Sequence, residues 1–282
     1  MVRQVASSMA LALTIERNLP LNVPNLGLRR SQPDLFTDRI HIQGREPVEL
    51  QAVKAERLYL KVAEQLSRLI TNGSIKPGER LPSERVLAEK LGVSRPTIRE
   101  AMIALEISGV IEIRTGSGIY ATQKQYQQSQ PEIGDKGVGP FEILETRFII
   151  ESEACALAAA RISSEQIREL KQAVKEMEEE ETRADASEKA DWKFHSIIAE
   201  ASQNTAIIGI VNWLWELRNQ SELSTGFMER LRAEGVHPSI EDHRKIILAL
   251  EQRNPEKARA AMRNHIDNAT AAAATYFEQE PV

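Results

Sequence analysis

One cysteine in 282 residues rules out an internal disulfide. Cys155 stands in the apolar run Cys155-Ala156-Leu157-Ala158, where it reads as a small buried hydrophobe, and thiol redox chemistry drops out with it. No stretch approaches the roughly 20 apolar residues of a membrane helix. The best N-terminal candidate, Ser8 to Ile15, is cut short by Glu16 and Arg17, so a cytoplasmic protein with no membrane partner is expected. His-Glu-x-x-His is absent. Behind Gly116-Ser117-Gly118 there is no Lys-Ser or Lys-Thr and no βαβ pattern, which excludes a phosphate-binding loop there. Basic charge is in deficit overall, at a net −5, which argues against a uniformly basic nucleic-acid binder. It is unevenly spread, however. Residues 57–122 carry ten Lys/Arg against seven Asp/Glu, a net +3, and leave −8 on the remainder.

What is present is an ordinary globular composition, 41% apolar and 27% charged, over a length that suits two compact domains with extensions. Residues 1–54 hold scattered prolines and no sustained period, and are expected to be a poorly ordered extension. In 55–122, Leu58, Val62, Leu66 and Ile70 make one apolar helical face that stops at Asn72-Gly73. A second helix opens at Ser83 and ends at Gly92. A third is capped by Ser94 and turns Ile98, Met102 and Leu105 inward and Arg95 and Arg99 outward. Two short helices across a tight glycine turn make a helix-turn-helix. The alternating runs Val110 to Arg114 and Ile119 to Thr122 flank Thr115-Gly116-Ser117-Gly118 as a hairpin, the wing. Residues 123–139 have little apolar content and read as a solvated linker. From Pro140 to about residue 278 helical periodicity is unbroken by any strand pattern, with starts at Ser163, Ser239 and Asn254-Pro255. The fold class expected is mainly α, an N-terminal winged helix-turn-helix followed by an antiparallel bundle of six or seven helices.

A recognition helix buries one face and offers its N-terminal residues to the major groove. Arg95 and Arg99, Thr97 near the helix start and Arg85 on the preceding helix suit that task, though the arginines could instead pair with Glu84, Glu89 or Glu100. The runs Pro77-Gly78-x-x-Leu81-Pro82-Ser83-Glu84-Arg85 and Val93-Ser94-Arg95-x-Thr97-x-Arg99-Glu100-Ala101 resemble the GntR family of bacterial repressors. The resemblance implies DNA contacts by Arg85, Ser94, Arg95, Thr97 and Arg99, with Thr115 and Gly116 of the wing in the minor groove. It also implies a homodimer on double-stranded DNA at a palindromic operator.

Of five histidines, three fall in apolar stripes of the bundle. His195 shares one with Asp191, Phe194 and Ile198; His243 sits between Ile240 and Ile247; His265 lies beside Met262, Ile266 and Ala269. A single such ring is ordinarily satisfied by a backbone carbonyl, but three with an aspartate four residues from one of them point to a shared N/O site for a divalent metal. Zinc is the default, with nickel or manganese also suited. Asp191, His195, His243 and His265 match the ligand pattern of the FadR-like branch of the GntR family, whose helical (FCD-type) effector domain this one resembles; His41 and His237 do not match. Arg147 shares a stripe with Leu144 and Glu151, so an inward guanidinium could clamp an anion, and a small carboxylate is the expected effector. The stretch Gly139 to Arg147 resembles members that answer to sugar acids. A metal-dependent hydrolase is the alternative, against which no general base is visible.

Overall fold

A computed structural model describes residues 38–40, 48–50, 57–123, 133–182 and 188–278. The chain divides into two compact units, Met1–Ala55 and Glu56–Val282. In the first, β1 (Asp38–Ile40) pairs antiparallel with β2 (Val48–Leu50), Arg39 opposite Glu49. This ladder was not anticipated in the extension, whose other residues lie outside those described.

The second unit opens with α1 (Leu58–Thr71), which packs its Val62, Ala63, Leu66 and Ile70 face on α3. The helix-turn-helix follows as α2 (Glu84–Leu91) and α3 (Arg95–Ile107). Ser94 caps α3, its Oγ accepting from the Thr97 N–H at 3.3 Å. The wing is β3 (Ile111–Arg114) paired with β4 (Gly118–Ala121), turned at Gly116 with φ 75°, a left-handed conformation that favours glycine.

Seven helices then follow among the described residues: α4 (Pro140–Arg161), α5 (Ser164–Glu181), α6 (Lys189–Ala201), α7 (Thr205–Gln220), α8 (Glu222–Ala233), α9 (Ile240–Glu251) and α10 (Pro255–Thr275). The expected starts are all in place: Ser163 and Gln166 form a reciprocal capping box, Ser239 caps α9, and Asn254 caps α10 with Pro255 in its first turn. Helix α4 is central, packed against α10, α6, α7 and α9. No described helix is long and apolar enough to cross a membrane.

The solvated-linker expectation for 123–139 needs correction. Residues 124–132 lie outside those described, but 133–139 are docked. Ile133 is buried, Asp135 accepts from Arg57 Nε at 3.1 Å, and the Val138 carbonyl accepts from the hydroxyls of Ser221 and Ser224 at 2.7 and 2.8 Å. The segment is held largely through its backbone and Asp135, by polar partners at the starts of α1 and α8, which composition does not reveal. At its end, a Cβ on Gly139 would overlap the carboxylate of Glu100 on α3, so any larger residue would displace the Glu100 side chain from the start of α4.

Candidate functional site

On the helix-turn-helix, Arg85 and Arg95 are exposed, Thr97 is half-buried at the start of α3, and Ser94, Thr115 and Gly116 stand at the cap and wing tip. The arginines are paired as well: Arg95 contacts Glu84, and Arg85 lies 3.8 Å from Glu89. The Arg85–Glu89 pair is exposed and worth little, so Arg85 is readily redirected to a phosphate, whereas Arg95 is exposed but its partner Glu84 is buried. Arg99 departs from its outward assignment. It is buried, its Nε and Nη2 donate to Glu84 at 2.6 and 2.9 Å, and its guanidinium carbon lies 5.2 Å from the Phe141 ring and 5.9 Å from Phe277. A helical wheel places Arg99 beside Arg95, but α4 and the end of the chain cover it. The wheel of one domain cannot see the other. Glu100 does not pair with these arginines; it turns to α4, accepting from the Glu142 N–H at 3.1 Å.

In the bundle, Asp191 and His195 project from α6, His243 from α9 and His265 from α10, all four buried. One donor atom from each lies within 4.8 Å of the others. His243 Nδ1 donates to the Ser239 carbonyl at 2.7 Å, which turns Nε2 toward Asp191 Oδ1, 2.9 Å away. That contact needs a cation between the two atoms, a proton or a metal. His195 Nδ1 lies 2.5 Å from Glu151 Oε2 and its Nε2 lies 3.5 Å from Asp191, both poorly aligned for hydrogen bonds; His265 Nδ1 is buried without a partner. Burial opposes charge on Asp191, yet the rings of His195 and His243 outweigh it and hold the carboxyl well below its usual range. Glu151 is likewise disfavoured by burial, but the Arg147 charge brings it down to about 2. Burial drives His265 the other way, well below the ordinary histidine range, so its ring is neutral. One ionised carboxylate, one neutral imidazole and two further imidazoles, that of His243 oriented through its far nitrogen, fit a divalent metal.

A cavity of about 300 Å³, at the small end of ligand-site volumes, adjoins this cluster through Asp191 and His265. Arg147 lines it from α4, buried and inward-facing, its Nε donating to Glu151 at 2.7 Å and its guanidinium 4.4 Å from the Trp215 ring. His237, outside the metal cluster, is exposed at the cavity rim.

Residues 58–121 match the model of the bacterial regulatory proteins of the gntR family, and residues 142–268 match the FCD domain. The Uxu operon regulator of Haemophilus influenzae is 34% identical over 215 residues, 75% of this chain and 80% of that protein. The Uxu operon transcriptional regulator of Escherichia coli K12 is 35% identical over 225 residues, 77% of this chain and 87% of its own. The Exu regulon transcriptional regulator of the same strain is 32% identical over 222 residues, 78% and 85%. The chain belongs to the GntR family.

Like its GntR relatives it is a ligand-responsive DNA-binding regulator of transcription, and its domain pair is that of the FadR-like branch. The sequence pointed to the recognition-helix and wing residues and to the four residues of the Asp/His cluster, which the fold brings together. It did not point to Glu151, which pairs with Arg147 and lies against the His195 ring, although its position four residues beyond Arg147 on one stripe was the available signal. Arg218, Trp215, Glu188 and Asn268 also went unnoticed, because their meeting depends on how α6, α7 and α10 pack.

Proposed function

We propose that this protein is a homodimeric repressor of carbon-source catabolism genes that leaves its palindromic operator when a small carboxylate, a sugar acid, enters the bundle. The carrying observation is the cavity that brings Arg147 beside a buried Asp/His cluster. Kinship with Uxu and Exu regulators supports the sugar-acid class. Asp191, His195, His243 and His265 would hold zinc, which supplies concentrated positive charge for the acid's carboxylate. Arg147 adds guanidinium donors, with Glu151 fixing its orientation. Arg85, Ser94, Arg95, Thr97, Thr115 and Gly116 face DNA, while Arg99 acts from behind by fixing Glu84 and so Arg95. The comparisons give the hydrolase alternative no support.

The test is binding of DNA from the protein's own promoter neighbourhood, with and without chelator and a panel of sugar acids. One acid should weaken wild-type binding about 5- to 150-fold, the usual range of coupling between sites, and His195→Ala should bind DNA normally but ignore the acid. Absence of sequence-selective binding under every condition would sink the regulator reading.

For the homodimer, support comes from α4, α6 and α7, which pack together and expose Ile149, Trp192, Ile210 and Trp213. Trp213, 56% exposed, is the more exposed of these two tryptophans. Trp213→Glu is expected to shift the protein toward monomer in light scattering and to weaken operator binding at low concentration; an unchanged dimer would place the interface elsewhere.

A further inference from the structure

The cavity has a second guanidinium that no part of the proposed mechanism uses. Arg218, on α7 and only 7% exposed, lines it together with Arg147, and the guanidinium carbon of Arg218 lies 4.7 Å from the ring of Trp215, the same indole on which Arg147 rests at 4.4 Å. Packing against one buried ring restrains both guanidinium groups, whose N–H donors meet carboxylates. Arg147 is matched by its own carboxylate, Glu151. Arg218 pairs with Glu188, which also lies 3.3 Å from Arg232 and lines the cavity. Glu188 stands just before α6 at φ 54°, a left-handed conformation that costs a non-glycine residue about 1 kcal/mol or more. Only three residues later, in the first turn of α6, comes Asp191 of the Asp/His cluster. The Arg218 pair is therefore tied to the frame of the metal site.

We infer that Arg218 and Glu188 form a subsite that reads the hydroxyl groups of the effector's tail, which makes the effector a polyhydroxy acid and not a simple carboxylate or a diacid. This rests on the proposed binding of a carboxylate beside Arg147. With the head held there, the tail meets a donor and an acceptor side by side. A hydroxyl both donates and accepts, so a polyol satisfies Arg218 and Glu188 together. A second carboxylate would satisfy Arg218 but be repelled by Glu188, and an apolar tail would strip water from this ion pair without offering either group a hydrogen bond in return. Across the cavity the pattern repeats, since Asn268 donates to Asp242 at 2.8 Å and both line the same space.

The test is calorimetry on the zinc-loaded, full-length protein with three acids: a six-carbon aldonate, the aldarate of the same length, and a three-carbon 2-hydroxy acid that keeps the head but lacks the tail. The wild type should prefer the aldonate. Glu188→Gln and Arg218→Lys should each weaken aldonate binding by about 10- to 100-fold and leave the short acid within about two-fold, with zinc stoichiometry unchanged. Equal weakening of both acids would reduce Arg218 and Glu188 to structural supports, and a preference for the aldarate or the short acid would overturn the polyol assignment alone. If none of the acids binds the wild type, the carboxylate reading fails and the subsite fails with it.

Discussion

Alanine at His243 is expected to lower the affinity for zinc by about 100-fold or more while operator affinity stays within about two-fold. His243 is the best-oriented member of the cluster: Ser239 fixes its ring from behind, and its Nε2 faces Asp191 across 2.9 Å. Removing it takes away one donor and also frees the carboxylate that the others converge on. Glu151→Gln is a milder change in the same direction. The ring of His195 keeps an oxygen at Nδ1 but loses a charged one, so about a 10- to 100-fold loss is expected. Competition with a chromophoric chelator gives both affinities. Because a bound ion stabilises only the folded chain, zinc should also raise the unfolding temperature of the wild type and not of His243→Ala. A variant that holds zinc as tightly as the wild type would remove His243 from the ligand set.

Much of this site was legible because its signals are local. A Ser or Asn before a helical run marks a cap whatever surrounds it, and Ser94, Ser163 and Asn254 all serve as such. Asp191 and His195 are neighbours on one helix, and a histidine in an apolar stripe demands a partner wherever it goes. Illegible features depend on two elements that sequence does not place side by side. Arg99 looks outward on α3 alone, yet Phe141 and Phe277, from α4 and from just beyond α10, close over it. Residues 133–139 look like free linker until Tyr59, Ser221 and Ser224 come to meet their backbone. Arg218 carries no periodic signal at all, and acquires a role only when Trp215 brings it to the cavity of Arg147.

The same contacts join the two functions. Helix α4 runs unbroken from Pro140 to Arg161; its first turn rests on the recognition helix through Glu100 and Arg99, and further along it Arg147, paired with Glu151, lines the cavity. At about 1.5 Å per residue, Arg147 lies roughly 8 Å along the axis from Glu142, so a ligand that moves Arg147 acts on a rigid rod whose other end holds α3. Glu100 is the sensitive joint. Burial, reinforced by the nearby charge of Glu142, raises its carboxyl from 4.5 to about 8, against the opposing pull of the Glu142 N–H. A carboxyl raised in the folded state binds its proton more tightly there than in the unfolded chain, so folding stability from this group is fullest at low pH and falls as pH climbs from about 4.5 through about 8. The loss is expected to be on the order of a few kcal/mol over that window. Glu100→Gln keeps an oxygen for the Glu142 N–H but cannot ionise, so its stability should fall far less between pH 5.5 and 8.5. Urea unfolding of the two proteins at both pH values measures the difference. A wild type that loses no more than the variant would mean that Glu100 is free to ionise at the joint, through water or a shift of α4, and that the start of α4 is not held to the recognition helix as tightly as its geometry implies.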